Sequence, residues 1–230
     1  MFWVFIAAAD ISAESVTIAG PAGHHLARVL RVRPGERGVA VSDGRQYAVE
    51  VTDARAGRVV ARILDQGPAA GEPPVWLTVL QAVLPNPDFD AVIEGGTAVG
   101  VSRFIAIQAA RSQSHPAASR ATRWQAVAQS AAEQSHRGIV PAVLGPLPLR
   151  KALETVRGDR LLVLDPRAPT PLRSNAGDSV SIAIGPEGGW RDDEVQLMQD
   201  HGGTAVNLGP RILRARLAPI VATAILVQQS

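Results

Sequence analysis

The sequence predicts an α/β protein in two parts, a small β-rich module followed by a larger domain with a mostly parallel sheet. From Val16 to Leu64, short runs rich in Val, Ile and Ala alternate with turns. From residue 75 onward, nearly continuous apolar runs of strand length alternate with helical stretches, the pattern of parallel strands covered on both faces. A chain of 230 residues that is 46% hydrophobic can bury the core that this fold requires.

The β-rich module is expected to contain one hairpin and one short helix. The stretch "SDGRQY" places the dipeptide Asp43-Gly44 between two apolar runs, which is a strong hairpin signal. Residues 24–30 could form a short helix, with an apolar side made by Leu26, Val29 and Leu30.

A linker separates this module from the larger domain. The stretch "DQGPAAGEPP" is rich in Pro and Gly and can continue neither a helix nor a central strand. We therefore place the N-terminal domain at 1–66, the linker at 67–74 and the second domain at 75–230. In the second domain, helices are predicted at 123–138 and from residue 192. The strands are predicted at 75–83, 103–110, 160–165, 179–185 and 204–209.

Composition excludes several classes of protein. The first ten residues, "MFWVFIAAAD", are apolar, but they lack a basic segment and Asp10 interrupts them, so neither a signal peptide nor a membrane helix is expected. We expect a cytoplasmic protein with no membrane partner. Cysteine is absent and the five histidines show no metal-ligand spacing, so no metal site is expected.

Positive charge is concentrated near the N-terminus. The formal net charge is only +2, and residues 1–62 contain all of this excess, with eight Arg against six Asp or Glu. The stretch "HHLARVLRVRPGER" brings together Arg28, Arg31, Arg33 and Arg37. Arginine is suited to bidentate phosphate contacts, so this cluster is a candidate phosphate-binding surface. A solvated face is the open alternative.

The stretch "IGPEGGW", 184–190, predicts a ligand-binding loop. A glycine-rich turn after a parallel strand lacks the Cβ atoms that would keep a ligand away from the backbone. The stretch matches neither the dinucleotide fingerprint nor the phosphate P-loop, and Glu187 disfavours a polyanion. We expect a neutral or cationic ligand; a tight turn with nothing bound is the alternative.

A second glycine-containing turn follows in "NLGPRILRARLAPIVATAILVQQ", 207–229, where two arginines and a long apolar helix come next. Together with "IGPEGGW", "HHLARVLRVRPGER" and "AEQSHRGIVPAV", this stretch resembles the RsmE family of RNA methyltransferases, within the SPOUT superfamily. The resemblance runs from about Gly23 to Gln228. It implies an N-terminal PUA-like β-barrel for RNA, joined to a SPOUT methyltransferase domain with a deep C-terminal trefoil knot.

The resemblance also implies a reaction and partners. Members of the family transfer a methyl group from S-adenosylmethionine to N3 of one uridine in 16S, small-subunit, ribosomal RNA. They are homodimers in which the C-terminal helix, here 218–228, lies near the partner. The cofactor is expected at three loops, whose residues are Leu164, Asp165, Gly185, Pro186, Glu187, Gly188, Gly189, Leu208, Gly209, Ile212 and Leu213.

The reaction requires removal of the uracil N3 proton or stabilisation of the resulting anion, which a cationic side chain can provide. Arg211 and Arg214, just beyond the third loop, are the candidate catalytic residues for orienting the uracil or its phosphate. The alternative is that one of them pairs with Glu187 or with a helix end. The resemblance places the RNA contacts at Arg28, Arg31, Arg33 and Arg137.

Two segments depart from the family pattern. Members commonly continue "LGPRILR" with Thr-Glu-Thr-Ala, where this chain has 215–218 as Ala-Arg-Leu-Ala, and residues 84–100 lack the lysines usual there. The alternative function is therefore a degenerate or altered member that binds RNA or S-adenosylmethionine with little or no catalysis. A related SPOUT enzyme acting on another RNA is a third hypothesis.

Overall fold

The computed structural model describes residues 1–55, 57–174 and 178–227, which form two compact units. The first unit comprises Met1–Glu72 together with Glu133–Ile139. The second comprises Pro73–Ala132 and residues 140–227. No helix in these described ranges combines the length and the apolar character needed to cross a membrane.

The first unit is built on a five-stranded sheet in the order β1-β3-β4-β5-β2. Strand β1 pairs with β3 in parallel and the other neighbours are antiparallel. Side chains from all five strands, both edge strands included, pack into one core, as in a small barrel. The strands are β1 (Phe2–Phe5), β2 (Ser15–Ile18), β3 (Arg37–Ser42), β4 (Arg45–Arg55) and β5 (Arg58–Pro68).

The predicted hairpin is confirmed. Asp43 and Gly44 join β3 to β4 with φ values of 48° and 72°, so both central residues lie in the left-handed region that a tight hairpin turn requires. The apolar N-terminal run forms strand β1. Strand β5 continues through Pro68, so the first two residues of the predicted linker pair with β4.

The predicted apolar side of the short helix is wrong. Helix α1, Gly20–His24, continues as a wider π-type turn over His25–Val29, closed by a hydrogen bond from Leu30 N to His25 O. Leu26 is buried, but Val29 and Leu30 are 61% and 53% exposed. The α-helical period fails here because each turn holds more residues than the 3.6 assumed.

The predicted RNA contact at Arg137 is also corrected, because its side chain is only 2% exposed. The guanidinium donates two hydrogen bonds to the Glu72 carboxylate, which also accepts from the backbone N–H groups of Gly138 and Ile139. The indole of Trp3 donates to the carbonyl oxygen of Arg137 at 3.0 Å. Arg137 therefore ties the 133–139 segment into the first unit instead of presenting its charge to RNA.

The second unit contains a six-stranded, wholly parallel sheet in the order β11-β9-β10-β6-β7-β8, which confirms the predicted α/β class. Sequence reasoning missed β8 because Gly145 and Pro146 interrupt its apolar run. It is an edge strand, where a missing backbone donor is tolerated. The strands are β6 (Trp76–Ala82), β7 (Arg103–Gln108), β8 (Ala142–Pro148), β9 (Arg160–Leu164), β10 (Ser179–Ile184) and β11 (Thr204–Val206).

Helices cover both faces of this sheet. Side chains of α2 (Asp88–Val99), α3 (Arg120–Gln134) and α6 (Ala218–Val227) share one buried cluster with the strands. Those of α4 (Leu149–Glu154) and α5 (Asp192–Asp200) share the cluster on the other face. Because the strands are parallel, their carboxyl ends lie at one edge, where both predicted glycine-containing loops begin.

The two glycines inside α2 have a packing role. A Cβ atom at Gly95 would lie 2.5 Å from Cδ1 of Ile220 in α6, and one at Gly96 would lie 2.8 Å from the ring of Phe104 in β7. Each glycine costs a helix about 1 kcal/mol relative to alanine. This chain keeps them because α2 packs too closely on its neighbours for a side chain.

We expect Glu72→Ala to lower the free energy of unfolding of the first unit by about 3 kcal/mol, because it removes the carboxylate that binds the buried guanidinium of Arg137. Arg37→Ala removes an exposed ion pair with Glu50 and should cost less than about 1 kcal/mol. Urea unfolding followed by circular dichroism measures both. Equal losses would show that the Glu72–Arg137 pair does not anchor the segment.

Candidate functional site

A cavity of about 370 Å³ lies at the carboxyl edge of the parallel sheet, a volume within the roughly 300–1,000 Å³ typical of small-molecule sites. Its wall is formed by the loops after β9 and β10 and by the segment between β11 and α6. All eleven residues that the sequence predicted for the cofactor line it. The three predicted loops therefore meet at one place.

Asn207 connects two of these loops. Its side-chain amide donates to the carbonyl oxygen of Ala168 and its side-chain oxygen accepts from the backbone N–H of Gly209, both at 2.8 Å. Its backbone N–H donates to Thr170 O and its carbonyl accepts from Leu172 N. The segment after β11 is thereby held against the segment after β9.

Arg111 braces the "GPEGGW" loop, and sequence reasoning missed it. Its Nη1 donates to the carbonyl oxygens of Gly188 at 2.9 Å and Trp190 at 3.3 Å, and the side chain lines the cavity. The backbone N–H of the preceding Ala110 donates to Glu194 in α5 at 2.8 Å. The available signal was position, because Arg111 follows a predicted parallel strand at the edge where the glycine loop lies.

The glycine loop packs closely on its supports. A Cβ atom at Gly185 would lie 3.3 Å from the indole of Trp190, and one at Gly188 would lie 3.3 Å from Cβ of Arg111. The indole N–H of Trp190 is buried and has no hydrogen-bond partner among the described residues. A larger residue at Gly185 or Gly188 would therefore require the Trp190 indole or the Arg111 side chain to shift.

Two carboxylates line the cavity, and they differ in whether an arginine binds them. Asp165 is buried, and hydrogen bonds from the guanidinium of Arg167 lower the pKa of its carboxyl below the ordinary value of 3.8. Glu187 has no ion-pair partner within the described ranges. The lining thus combines backbone polar groups, an unpaired carboxylate and apolar walls with the guanidinium groups of Arg111 and Arg211. This set fits a ligand that carries both signs of charge and several polar atoms, such as S-adenosylmethionine.

The structure separates the two candidate catalytic arginines. Both are exposed, but Arg211 lines the cavity and Arg214 lies outside the lining. Within residues 1–55, 57–174 and 178–227, neither guanidinium has an ion-pair partner, so the expected alternative of a pair with Glu187 is not observed. The carbonyl oxygen of Arg214 accepts from Leu217 N and Ala218 N at the start of α6.

The chain matches known proteins over nearly its whole length. Residues 71–227 match the family model of an RNA methyltransferase domain, and residues 18–64 match that of an RNA methyltransferase PUA domain. Ribosomal RNA small subunit methyltransferase E of Mycobacterium tuberculosis is 36% identical over 228 residues, covering 93% of this chain and 86% of that protein. The Synechocystis protein of the same name is 33% identical over 229 residues, covering 95% and 75%.

The chain belongs to the RsmE family of RNA methyltransferases. The crystal structure of the Neisseria gonorrhoeae methyltransferase E bound to S-adenosylmethionine has a TM-score of 0.89 and 29% identity to this chain, and the match covers 97% of this chain and 96% of that one. The family predicted from the motifs, with its PUA-like N-terminal domain, is confirmed.

The two segments that depart from the RsmE pattern contact each other. Arg216, in the 215–218 segment, donates to the carboxylate of Asp88, in the 84–100 segment, at 3.0 Å. Ala215 is 9% exposed and lines the cavity, and Leu217 is 44% exposed. The chain therefore has an ion pair beside the cavity and the methyl group of Ala215 in the cavity wall.

The arginines predicted to contact RNA in the first unit are exposed. Arg28 lies in the π-type turn, and Arg31 and Arg33 follow it; Arg31 has a φ of 54°. Their side chains form no ion pair with any described residue. This leaves three positive charges available to an anionic partner, and their role in RNA binding stays a prediction.

We expect Arg111→Ala to weaken S-adenosylmethionine binding about tenfold, because the loop loses two charge-assisted hydrogen bonds that fix its carbonyl groups. Titration calorimetry measures the affinity. Arg157→Ala, which removes an exposed arginine from the turn after α4, is the matched control and should bind like the unmodified chain. Unchanged affinity in Arg111→Ala would mean that the loop keeps its conformation without this brace.

Proposed function

We propose that this chain methylates small-subunit, 16S, ribosomal RNA at N3 of one uridine, with S-adenosylmethionine as the methyl donor. The observation that carries the proposal is the convergence of three predicted loops on one cavity in a chain of the RsmE family. The Neisseria gonorrhoeae protein, with a TM-score of 0.89, supports the choice of cofactor, since its structure is bound to S-adenosylmethionine.

The chain would hold the cofactor mainly with its backbone. Residues 185–190 and 208–213 would supply N–H and C=O groups to the adenosine, and the carboxylates of Asp165 and Glu187 would face its positive charge. Bound S-adenosylmethionine supplies a methyl group on a sulfonium sulfur. Hydrogen bonds from Arg167 hold the Asp165 carboxylate and lower its pKa, and Arg111 holds the glycine loop in place.

Arg211 is the residue we propose to act on the uracil. Methylation at N3 requires loss of the N3 proton, which leaves negative charge on the ring and its carbonyl oxygens. A guanidinium without an ion-pair partner in the described part of the chain, set in the cavity wall, would orient the base and stabilise that charge. Arg214, outside the lining, would contact the RNA backbone.

We assign RNA binding to the domain at 1–66 and methyl transfer to the domain at 75–230, joined by the linker at 67–74. Arg28, Arg31 and Arg33 would bind phosphate oxygens, which supply affinity without reading the base sequence. Arg137 is left out of this surface because it is buried against Glu72. The reaction takes place on ribosomal subunits, so the proposal keeps the predicted cytoplasmic location.

A knotted C-terminal region and a homodimer complete the proposal. The segment after β11 runs beside residues 168–172 before α6 packs on α2 and β6, which is compatible with a trefoil knot.

Helix α6 has no charged residue, and its one polar side chain, Thr223, is buried. A helix that is apolar on all sides favours burial, and a second copy of the chain would cover the part that its own fold leaves accessible.

The second candidate function is a family member that binds S-adenosylmethionine or RNA with little catalysis. The observation that favours it is the altered wall beside the cavity, where Ala215 lacks a hydroxyl and Arg216 pairs with Asp88.

The test is transfer of labelled methyl from S-adenosylmethionine to small ribosomal subunits that lack their native uridine N3 methylation, with the product nucleotide identified by mass spectrometry. We expect incorporation at N3 of one uridine. We also expect Arg211→Ala to lower kcat about 100-fold with unchanged cofactor affinity, because it removes a charge used in the transition state.

No incorporation by a chain that binds the cofactor would favour the second candidate function. Methyl found on another atom or another RNA would support a related SPOUT activity. Full activity of Arg211→Ala would remove that residue from the reaction.

A further inference from the structure

A second hollow, of about 410 Å³, lies in the loop between β7 and α3 and belongs to no site described above. Its polar lining consists of two serine hydroxyls, one imidazole and two guanidinium groups, and no carboxylate lines it. The polar residues are Ser114, His115, Ser119, Arg120 and Arg123. Hydrogen-bond donors with positive charge and no acid are suited to an anion.

The two arginines of the hollow differ in whether their side chains are already bound to another residue. The guanidinium of Arg123 is bound to the Asp90 carboxylate, with Nη2 at 2.6 Å from Oδ2. The side chain of Arg120 has no hydrogen-bond or ion-pair partner within the described ranges, although it is half-buried. Arg120 is therefore the positive charge in the hollow that remains available to a ligand.

The hollow is held next to the cofactor cavity. Arg111, which lines the cavity and bonds the glycine loop, precedes Ser114 by three residues, so their Cα atoms are at most about 11 Å apart. The loop between them is fixed internally, since Ala109 N donates to the hydroxyl of Ser112 and the side-chain amide of Gln108 donates to Ser114 O at 3.3 Å. These hydrogen bonds hold Ser112 and Ser114 to the end of β7, which Arg111 closely follows.

We propose that this hollow binds a phosphodiester of the substrate RNA adjacent to the nucleotide that enters the cavity. Arg120 supplies the charge, and Ser114 and Ser119 donate hydrogen bonds to the phosphate oxygens. The inference rests on the proposed function for the identity of the RNA. Its consequence is that the loop between β7 and α3 positions the target base relative to the "GPEGGW" loop, because both loops are joined through Arg111.

The test compares Arg120→Glu with Arg150→Glu, a matched change at an exposed arginine in the first turn of α4. Binding of both variants to unmethylated small ribosomal subunits is measured as a function of salt, together with KM and kcat for methyl transfer. For Arg120→Glu we expect about tenfold weaker binding and a salt slope reduced by about one, with KM raised and kcat at saturating RNA retained. Arg150→Glu should leave all of these values unchanged.

Cofactor affinity and thermal unfolding show whether each variant is folded, and Arg120→Ala, with a smaller loss in the same direction, replaces Arg120→Glu if that variant is unstable. The proposal is overturned if the affinity and salt slope of the Arg120 variant equal those of Arg150→Glu, which would make the hollow a solvated surface. Absence of methyl transfer by the unmodified chain would contradict the proposed function but not this inference, because binding is measured without catalysis.

Discussion

The parallel direction of all six strands in the second unit is the constraint from which the site follows. It places the carboxyl ends of β9 and β10 at one edge, so the loops that follow them lie close together. This proximity follows from the strand direction and needs no sequence pattern that links the two loops. Hydrogen bonds then fix the loops in pairs. Asn207 holds the segment after β11 to the segment after β9, and Arg111 holds the glycine loop to the end of β7. These hydrogen bonds hold together the loops that line the cavity.

Much of this arrangement could be predicted from the sequence, for physical reasons. Apolar runs flanked by turns indicate strands that are buried on both faces. Glycines directly after such runs indicate a loop whose backbone a ligand can approach. Local patterns could not reveal pairing between distant residues. The family resemblance assigns Arg137 to RNA, yet its buried guanidinium binds Glu72, 65 residues away in the chain. Pro146 interrupts the apolar pattern of β8 and is tolerated there because β8 is an edge strand with an irregular register. A π-type turn changes the period of residues 24–30, so the α-helical pattern assigns them the wrong apolar side.

The departures from the family pattern have a structural meaning that the sequence could not give. Arg216 and Asp88, one from each of these two segments, form an ion pair. The glycines of α2, which count against a helix, are needed for its approach to α6 and β7. The divergent segments thus form a coherent packed region beside the cavity, and the cofactor loops next to it retain the predicted residues.

The central claim is that one cavity, formed by three loops of one chain, holds the methyl donor. The most direct measurement is a crystal structure of the chain with S-adenosylmethionine. We expect the adenosine to lie between residues 185–190 and 208–213, in contact with their backbone groups. The positive sulfur should lie on the side of Glu187 or Asp165. Cofactor bound elsewhere, or an empty cavity at a saturating concentration with the loops unchanged, would contradict it.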